Sequence, residues 1–315
     1  MLTGITHRNI AQIGLIVRDV EAITDAYNTI LGFPLPEIRM TSAPGQAHAL
    51  YYGIETNARG KMALFVVDTI EFELMQPIDA PSAWKDFLDE RNDGIHHMAF
   101  FVPDTKAVIP SIEKRNYLLT HQGLFIGERG TYSYFNTEAH LGVALELAEH
   151  FDGAPAYHVP HPSEEIGIGT NTICQLGIVV RDIEHAIHYY CTLFDMPRPP
   201  IIETRGYADS KTTFRGKPSE AIAKLAFFDF GQVQIELIQP DEKPSVWREF
   251  LTRCGNGAHH IAFQVKDTQK AVEYLARHNI QVIQQGLYAD GSGMYTYMDS
   301  ERKLGCMIEL LENYP

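Results

Sequence analysis

One glutamine, two glutamates and one histidine recur in this sequence at a fixed separation. A step of 163 residues carries Gln12 to Gln175, Glu73 to Glu236, His97 to His260 and Glu146 to Glu309. Amide and carboxylate oxygens with one imidazole nitrogen suit a borderline or hard divalent ion such as Zn, Ni, Co, Mn or Fe(II). The set holds no thiolate, which argues against a closed structural zinc site. An ion with open positions acts as a Lewis acid toward a substrate presenting adjacent oxygens, and the neighbouring carbon becomes acidic. A carboxylate beside the ion can then take the proton and a second one can return it. Taken singly, a strand histidine or glutamate is more often a satisfied core or surface residue. Four residue types repeated together point to chemistry, because packing gives no reason to repeat Glu146 as Glu309.

The elements that must position these side chains are themselves duplicated. AQIGLIVRDVEAITDAY from Ala11 matches CQLGIVVRDIEHAIHYY from Cys174, FELMQP from Phe72 matches IELIQP from Ile235, and IHHMAFFVPDT from Ile95 matches AHHIAFQVKDT from Ala258. Trp84 and Trp247, Gly94 and Gly257, Gly123 and Gly286, Tyr132 and Tyr295 keep the same step. The repeat predicts a first module over 1–152, a Pro/Gly/His-rich linker over 153–169 and a second module over 170–315. Within a copy the pattern reads as strand Ile10–Val17, a helix over Val20–Leu31 capped by Asp19, and extended segments near Ala49–Gly53, Lys61–Val67 and Glu71–Gln76, closed by Pro77. After a short helix holding Trp84, a second round follows: strand Ile95–Val102, helix Thr105–Asn116, and strands near Leu118–Gln122, Tyr132–Asn136 and Val143–Ala148. This is an α+β architecture of tandem βαβββ units, four in the chain, with concave mixed sheets and helices outside.

Strand side chains alternate faces. Gln12, Gly14 and Ile16 therefore share the concave side, as do Glu73 with Met75 and Ala144 with Glu146 and Ala148. His97 falls with Ala99 on one face of its strand, and His96 with Met98 on the other. Two unpaired carboxylates buried in such a concavity are costly, and a divalent cation removes the cost.

Composition bounds the rest. The chain has 315 residues, 45% hydrophobic and 21% charged, and a formal net charge of −14. That length allows two ordinary domains, and that charge repels a phosphate backbone, so nucleic acid is not an expected partner. No stretch reaches the ~20 apolar residues of a membrane helix, and the N-terminal residues lack the apolar core of a signal peptide. Cys174, Cys191, Cys254 and Cys306 form no CxxC pair or disulfide framework, which fits a reducing cytoplasm. Arg18 and Arg181 read as surface or capping residues, Trp84 and Trp247 as closing the core beneath a short helix, and His158 with His161 as solvent-exposed linker residues.

The strings QIGLIVRD, ELMQP and ELIQP, HHMAF and HHIAF, and ALELAE and IELLE together resemble the vicinal oxygen chelate superfamily. Its members include glyoxalase I, methylmalonyl-CoA epimerase, extradiol dioxygenases and bleomycin-binding proteins. The resemblance covers nearly the whole chain as two glyoxalase-like modules. It implies one divalent metal per site, held by Gln12, Glu73, His97 and Glu146 in the first module and Gln175, Glu236, His260 and Glu309 in the second. The ligands could pair within a module or between modules. The glutamine, glutamate, histidine, glutamate set is that of the eukaryotic type of glyoxalase I. Extradiol dioxygenases and methylmalonyl-CoA epimerase instead carry a histidine on the opening strand, where this chain has Gln12 and Gln175. The turn Asp-Pro-Asp-Gly common before the last glyoxalase strand is replaced by NTEAHLG and DSERKLG.

The resulting expectation is a metal-dependent isomerase, epimerase or glyoxalase-type lyase. It acts by proton transfer beside a chelated carbonyl, on a hydroxyketone, ketoacid derivative or acyl thioester. Glu146 and Glu309 are the first choice as bases, with Glu73 and Glu236 as their partners. A metal-free binding protein and an Fe(II) dioxygenase are the competing classes, and a homo-oligomer is left open.

Overall fold

A computed structural model describes residues 5, 9–41, 45–79, 81–153 and 167–315 of the chain. The expected linker falls largely outside the described residues, as do His158 and His161.

The first repeat runs β1 (Gln12–Ile16), α1 (Val20–Leu31), β2 (Arg39–Met40), β3 (Leu50–Tyr51), β4 (Ile54–Glu55), β5 (Arg59–Val67), β6 (Ile70–Asp79), α2 (Ala83–Arg91), β7 (Gly94–Phe101), α3 (Thr105–Glu113), β8 (Leu119–Leu124), β9 (Gly130–Phe135), α4 (Glu138–Leu141) and β10 (Ala144–His150). The second continues with β11 (Ile173–Val179), α5 (Ile183–Phe194), β12 (Ile202–Glu203), α6 (Tyr207–Ser210), β13 (Thr213–Phe214), β14 (Lys217–Pro218), β15 (Ala223–Phe230), β16 (Val233–Pro240), α7 (Val246–Cys254), β17 (Gly257–Gln264), α8 (Thr268–Arg277), β18 (Val282–Leu287), β19 (Gly293–Met298), α9 (Glu301–Leu304) and β20 (Met307–Asn313). Each repeat forms one curled mixed sheet. The orders are β2-β5-β6-β1-β7-β10-β9-β8-β3-β4 and β12-β15-β16-β11-β17-β20-β19-β18-β13-β14. The fold is the α+β, twice-repeated architecture that the sequence pattern predicts.

Local chemistry sets the element ends. Asp19 accepts a hydrogen bond from the Ala22 amide at the start of α1, and Ser82 and Ser245 cap α2 and α7 in the same way. β6 runs past Pro77 to Asp79, beyond the end expected from the proline. A register shift opposite Pro77, between Arg59 and Gly60, accommodates the missing donor. The helix expected to reach Asn116 ends at Glu113, and Asn116 has a positive φ of 65°.

Contacts divide the chain into two compact units. One is Met1–Thr24, Pro34–Val159 and Tyr189–Pro197, and the other is Asp25–Phe33, Pro160–His188 and Arg198–Pro315. The first unit thus contains the end of α5, whose Tyr190 hydroxyl donates to the Leu141 carbonyl. In the second, the Tyr27 hydroxyl lies 3.5 Å from Cys306 Sγ. Among the described residues, no helix is long and apolar enough to cross a membrane.

Candidate metal centre

Four adjacent strands bring the first four residues together. β1 runs parallel to β6 and antiparallel to β7, and β7 runs parallel to β10. In this register Gly14 lies between Glu73 on one neighbour and His97 on the other, while Gln12 lies beside Glu71 and Ala99, and Ala99 beside Glu146. The second repeat reproduces the pattern: Gly177 is flanked by Glu236 and His260, and Ala262 by Gln175 and Glu309. Each set therefore assembles inside one module.

The glycine is required by space. A Cβ on Gly14 would stand 1.9 Å from His97 Cε1, and one on Gly177 would stand 1.8 Å from His260 Cε1. The imidazole occupies the volume a side chain would fill on the opening strand. Its Nε2 points at the acids: in the first module it lies 3.1 Å from a Glu146 oxygen, 3.4 Å from a Glu73 oxygen and 3.0 Å from Gln12 Oε1. In the second, His260 Nε2 is 2.9 Å from Glu309 and 3.6 Å from Glu236. Ligating atoms of Glu236, His260 and Glu309 all fall within 4.8 Å of one another.

Apart from the half-buried Gln12 these groups are buried, and among the described residues the carboxylates have only the histidine nitrogen, and no lysine or arginine, within ion-pairing distance. Burial raises the carboxyl groups of all four glutamates, and Glu71 adds to the rise at Glu73 by charge repulsion. Burial also lowers both imidazoles, so they are neutral and offer a lone pair. The donor set fits a divalent ion. Glu73 Oε2, Glu146 Oε2, Glu236 Oε2, Glu309 Oε2, Gln175 Oε1 and His260 Nε2 are buried with no hydrogen-bond partner among the described residues. Orphaned atoms converging on one point, without a lysine or arginine to neutralise them, are what a cation would satisfy.

The structure adds residues that the sequence reading passed over. Glu71 accepts a hydrogen bond from Gln12 Nε2 at 2.8 Å, and Gln234 accepts one from Gln175 Nε2 at 3.0 Å. Both contacts leave the amide oxygen free to face the centre. Strand alternation placed Glu71 on the face of Glu73, so the signal was present. Tyr134 and Tyr297 are buried, stand as cross-strand neighbours of Glu146 and Glu309, and pack their rings 5.0 Å from His97 and His260. Trp84 and Trp247 are core residues, as expected, but they also line the cavities and lie against Tyr132 and Tyr295.

One face assignment needs correction. β1 and β7 pair Gly14 with His97 but Leu15 with Ile95, which makes His96 the extra residue of a bulge. His259 takes the same position in β17. The bulge breaks the alternation that put His96 opposite His97. Instead Nδ1 of His96 lies 3.0 Å from Nδ1 of His97, and the His259–His260 distance is 3.1 Å. Arg18 behaves as a surface residue, with its backbone amide and side chain directed to Asp93 and Asn92.

Each site opens into a cavity, of about 430 Å³ in the first module and about 440 Å³ in the second. Apolar walls such as Met62, Leu64 and Met75, or Leu225 and Phe227, surround a polar floor. That is the usual form of a small-molecule site.

Comparisons with known proteins agree with this fold. The sequence profile of the Glyoxalase/Bleomycin resistance protein/Dioxygenase superfamily matches residues 11–135 and 174–297, and the chain belongs to that superfamily. The matched spans include Gln12, Glu73 and His97 and their counterparts, and stop short of Glu146 and Glu309. YqjC of Bacillus subtilis, an uncharacterized protein, is 32% identical over 143 residues, which is 45% of this chain and 92% of YqjC. A triple mutant of 4-hydroxymandelate synthase from Streptomyces coelicolor shares the fold with a TM-score of 0.61 at 14% identity, covering 97% of this chain and 92% of that one. The 2,3-dioxygenase LapB from Pseudomonas sp. KL28 does so with a TM-score of 0.51 at 13% identity, over the same shares of the two chains.

Proposed function

We propose that each module is a divalent-metal-dependent proton-transfer site acting on a carbon next to a chelated carbonyl, as in an isomerase, an epimerase or a glyoxalase-type lyase. One observation carries the reading. In both modules a neutral buried imidazole and two buried carboxylates converge at 2.9–3.6 Å without a lysine or arginine partner among the described residues. Gln12, Glu73, His97 and Glu146, and separately Gln175, Glu236, His260 and Glu309, would hold the ion. When bound, it supplies Lewis acidity toward the substrate's carbonyl oxygen.

The chain's own residues do the rest. Glu146 and Glu309, made more basic by burial, take the α proton onto a carboxylate oxygen. Tyr134 and Tyr297, cross-strand neighbours of those glutamates and packed on the histidine rings, line the cavity beside that carboxylate. Glu73 and Glu236, on β6 and β16 and separated from those bases by two strands, can in their protonated form deliver a proton to the other face of the carbon or to the next carbon. The apolar walls keep bulk water from competing for it. A metal-free binding protein has no need of two inward carboxylate pairs, which favours the enzymatic reading.

The test is metal analysis of untagged protein by inductively coupled plasma mass spectrometry, then solvent deuterium exchange into α-hydroxyketones and acyl thioesters. Two ions per chain and deuterium at the α carbon are expected, with loss of exchange in the doubly substituted Glu146→Gln/Glu309→Gln protein. Full ligand binding by metal-free protein, or unimpaired exchange in that variant, would overturn the reading.

A further inference from the structure

The two cavities have matched floors and unmatched mouths. Gln12, Glu73, Trp84, Tyr132, Tyr134 and Glu146 of the first have identical counterparts in the second. At the mouth the step of 163 residues replaces Arg39 by Ile202 and Arg129 by Ser292. Both arginines are exposed and line the first cavity. They come from different arms of the sheet: β2 is one end of the strand order, and Arg129 immediately precedes β9 on the other arm. Curling of the sheet sets two guanidinium groups at a single opening.

Little neutralises them. Arg39 pairs with Glu37, but both side chains are mostly exposed, at 60% and 71%. Such a pair is weak and easily exchanged for a ligand anion. Arg129 has no carboxylate partner among the described residues. His150, at the same mouth, is kept neutral by partial burial. The negative charge lies at the other end of the cavity, where Glu71 holds Gln12. In the second cavity Gln234 stands for Glu71, Asn313 for His150, and among the described lining residues the only charged side chain away from the acid pair is Asp290.

We infer that the two sites of this chain take substrates of different charge. The first takes a vicinal-oxygen compound with an anionic group, a carboxylate or phosphoryl, remote from the reacting carbon and held by Arg39 and Arg129. The second takes an uncharged one. A planar guanidinium pair matches the geometry of such an anion, and the same mouth without it favours a neutral tail. The inference rests on the proposed chelation of vicinal oxygens at each floor.

Dihydroxyacetone phosphate and dihydroxyacetone present the same hydroxyketone with and without the anion, and serve as probes in isothermal titration calorimetry of the zinc-loaded full chain. The phosphate ester should bind one site per chain, roughly tenfold tighter than dihydroxyacetone, a factor expected from two exposed ion pairs. Arg39→Ala/Arg129→Ala should bring the two affinities to about parity at that site. Ile202→Arg/Ser292→Arg should create a second tight site for the phosphate ester. Two equivalent phosphate-ester sites in the unmodified chain, or an undiminished preference in the arginine-free variant, would overturn the charge assignment and leave the proton-transfer reading intact. Binding of neither probe would remove both.

Discussion

Nδ1 of His96 lies 3.0 Å from Nδ1 of His97, and the second module repeats the contact at 3.1 Å between His259 and His260. Only one nitrogen of each pair can carry the proton between them. For Nε2 of His97 to present a lone pair to the acids, its Nδ1 must be protonated and donate to His96. The bulge that brings His96 alongside supplies an acceptor for that proton, and with it a partner for the tautomer that can bind a metal. His96→Ala with His259→Ala is expected to weaken zinc binding by roughly 10- to 100-fold, the usual effect of losing a residue that orients a ligand. Asparagine at both positions, which keeps an acceptor, should recover part of it. Chelator competition would read this, and unchanged affinity in the alanine variant would show that the contact orients nothing.

Gly14→Ala should abolish metal binding in the first module alone, since the new methyl overlaps the His97 ring at 1.9 Å. Metal content is expected to fall from two ions per chain to one, with a destabilisation of about 1–3 kcal/mol from overpacking. Gly177→Ala should do the same in the second module. Two ions retained in either variant would mean that the histidine can move aside and still ligate.

Glu71→Gln keeps an acceptor for Gln12 Nε2 and converts the first module to the arrangement of Gln175 with Gln234. Little change in metal affinity is expected. Glu71→Ala frees the Gln12 amide to turn, and affinity at that site should fall about tenfold, near the value of one hydrogen bond to a charged group. Equal affinities in the two variants would show that amide orientation does not matter.

Stability of chelated, metal-free protein should decline between about pH 6.5 and 8. Burial raises the Glu73 and Glu309 carboxyls from 4.5 to about 8, and it raises Glu146 and Glu236 as well. The native state therefore holds more protons than the unfolded chain across that range, and stability falls as pH rises. The buried imidazoles act oppositely: His96, His121 and His260 are lowered from 6.5 to about 3, and His97 and His259 are lowered too. Their contribution is lost as pH falls below about 6.5, so above that value only the carboxyls act. A metal ion, which takes the ionised carboxylates, should abolish the decline. Thermal midpoints with and without zinc across this window provide the check, and a flat metal-free profile would contradict it.

The duplication, the α1 boundaries and the inward faces of β1, β6 and β10 were all legible in the sequence, because a strand's period of two and a helix's capping are local properties. The same periodicity marked Gln12, Glu73 and Glu146 as facing inward. It could not show that each set closes within its own module. That depends on which strands pair, and β1 joins segments some 60 and 85 residues away, Glu71 and His97 among them. The side chosen by His96 depended on a bulge against β1, a property of two strands together. Tyr134 and Glu71 owe their place at the centre, and Arg39 and Arg129 their place at one mouth, to the curling of the sheet. Residue type set what each of these groups could do, and long-range pairing decided which of them do it together.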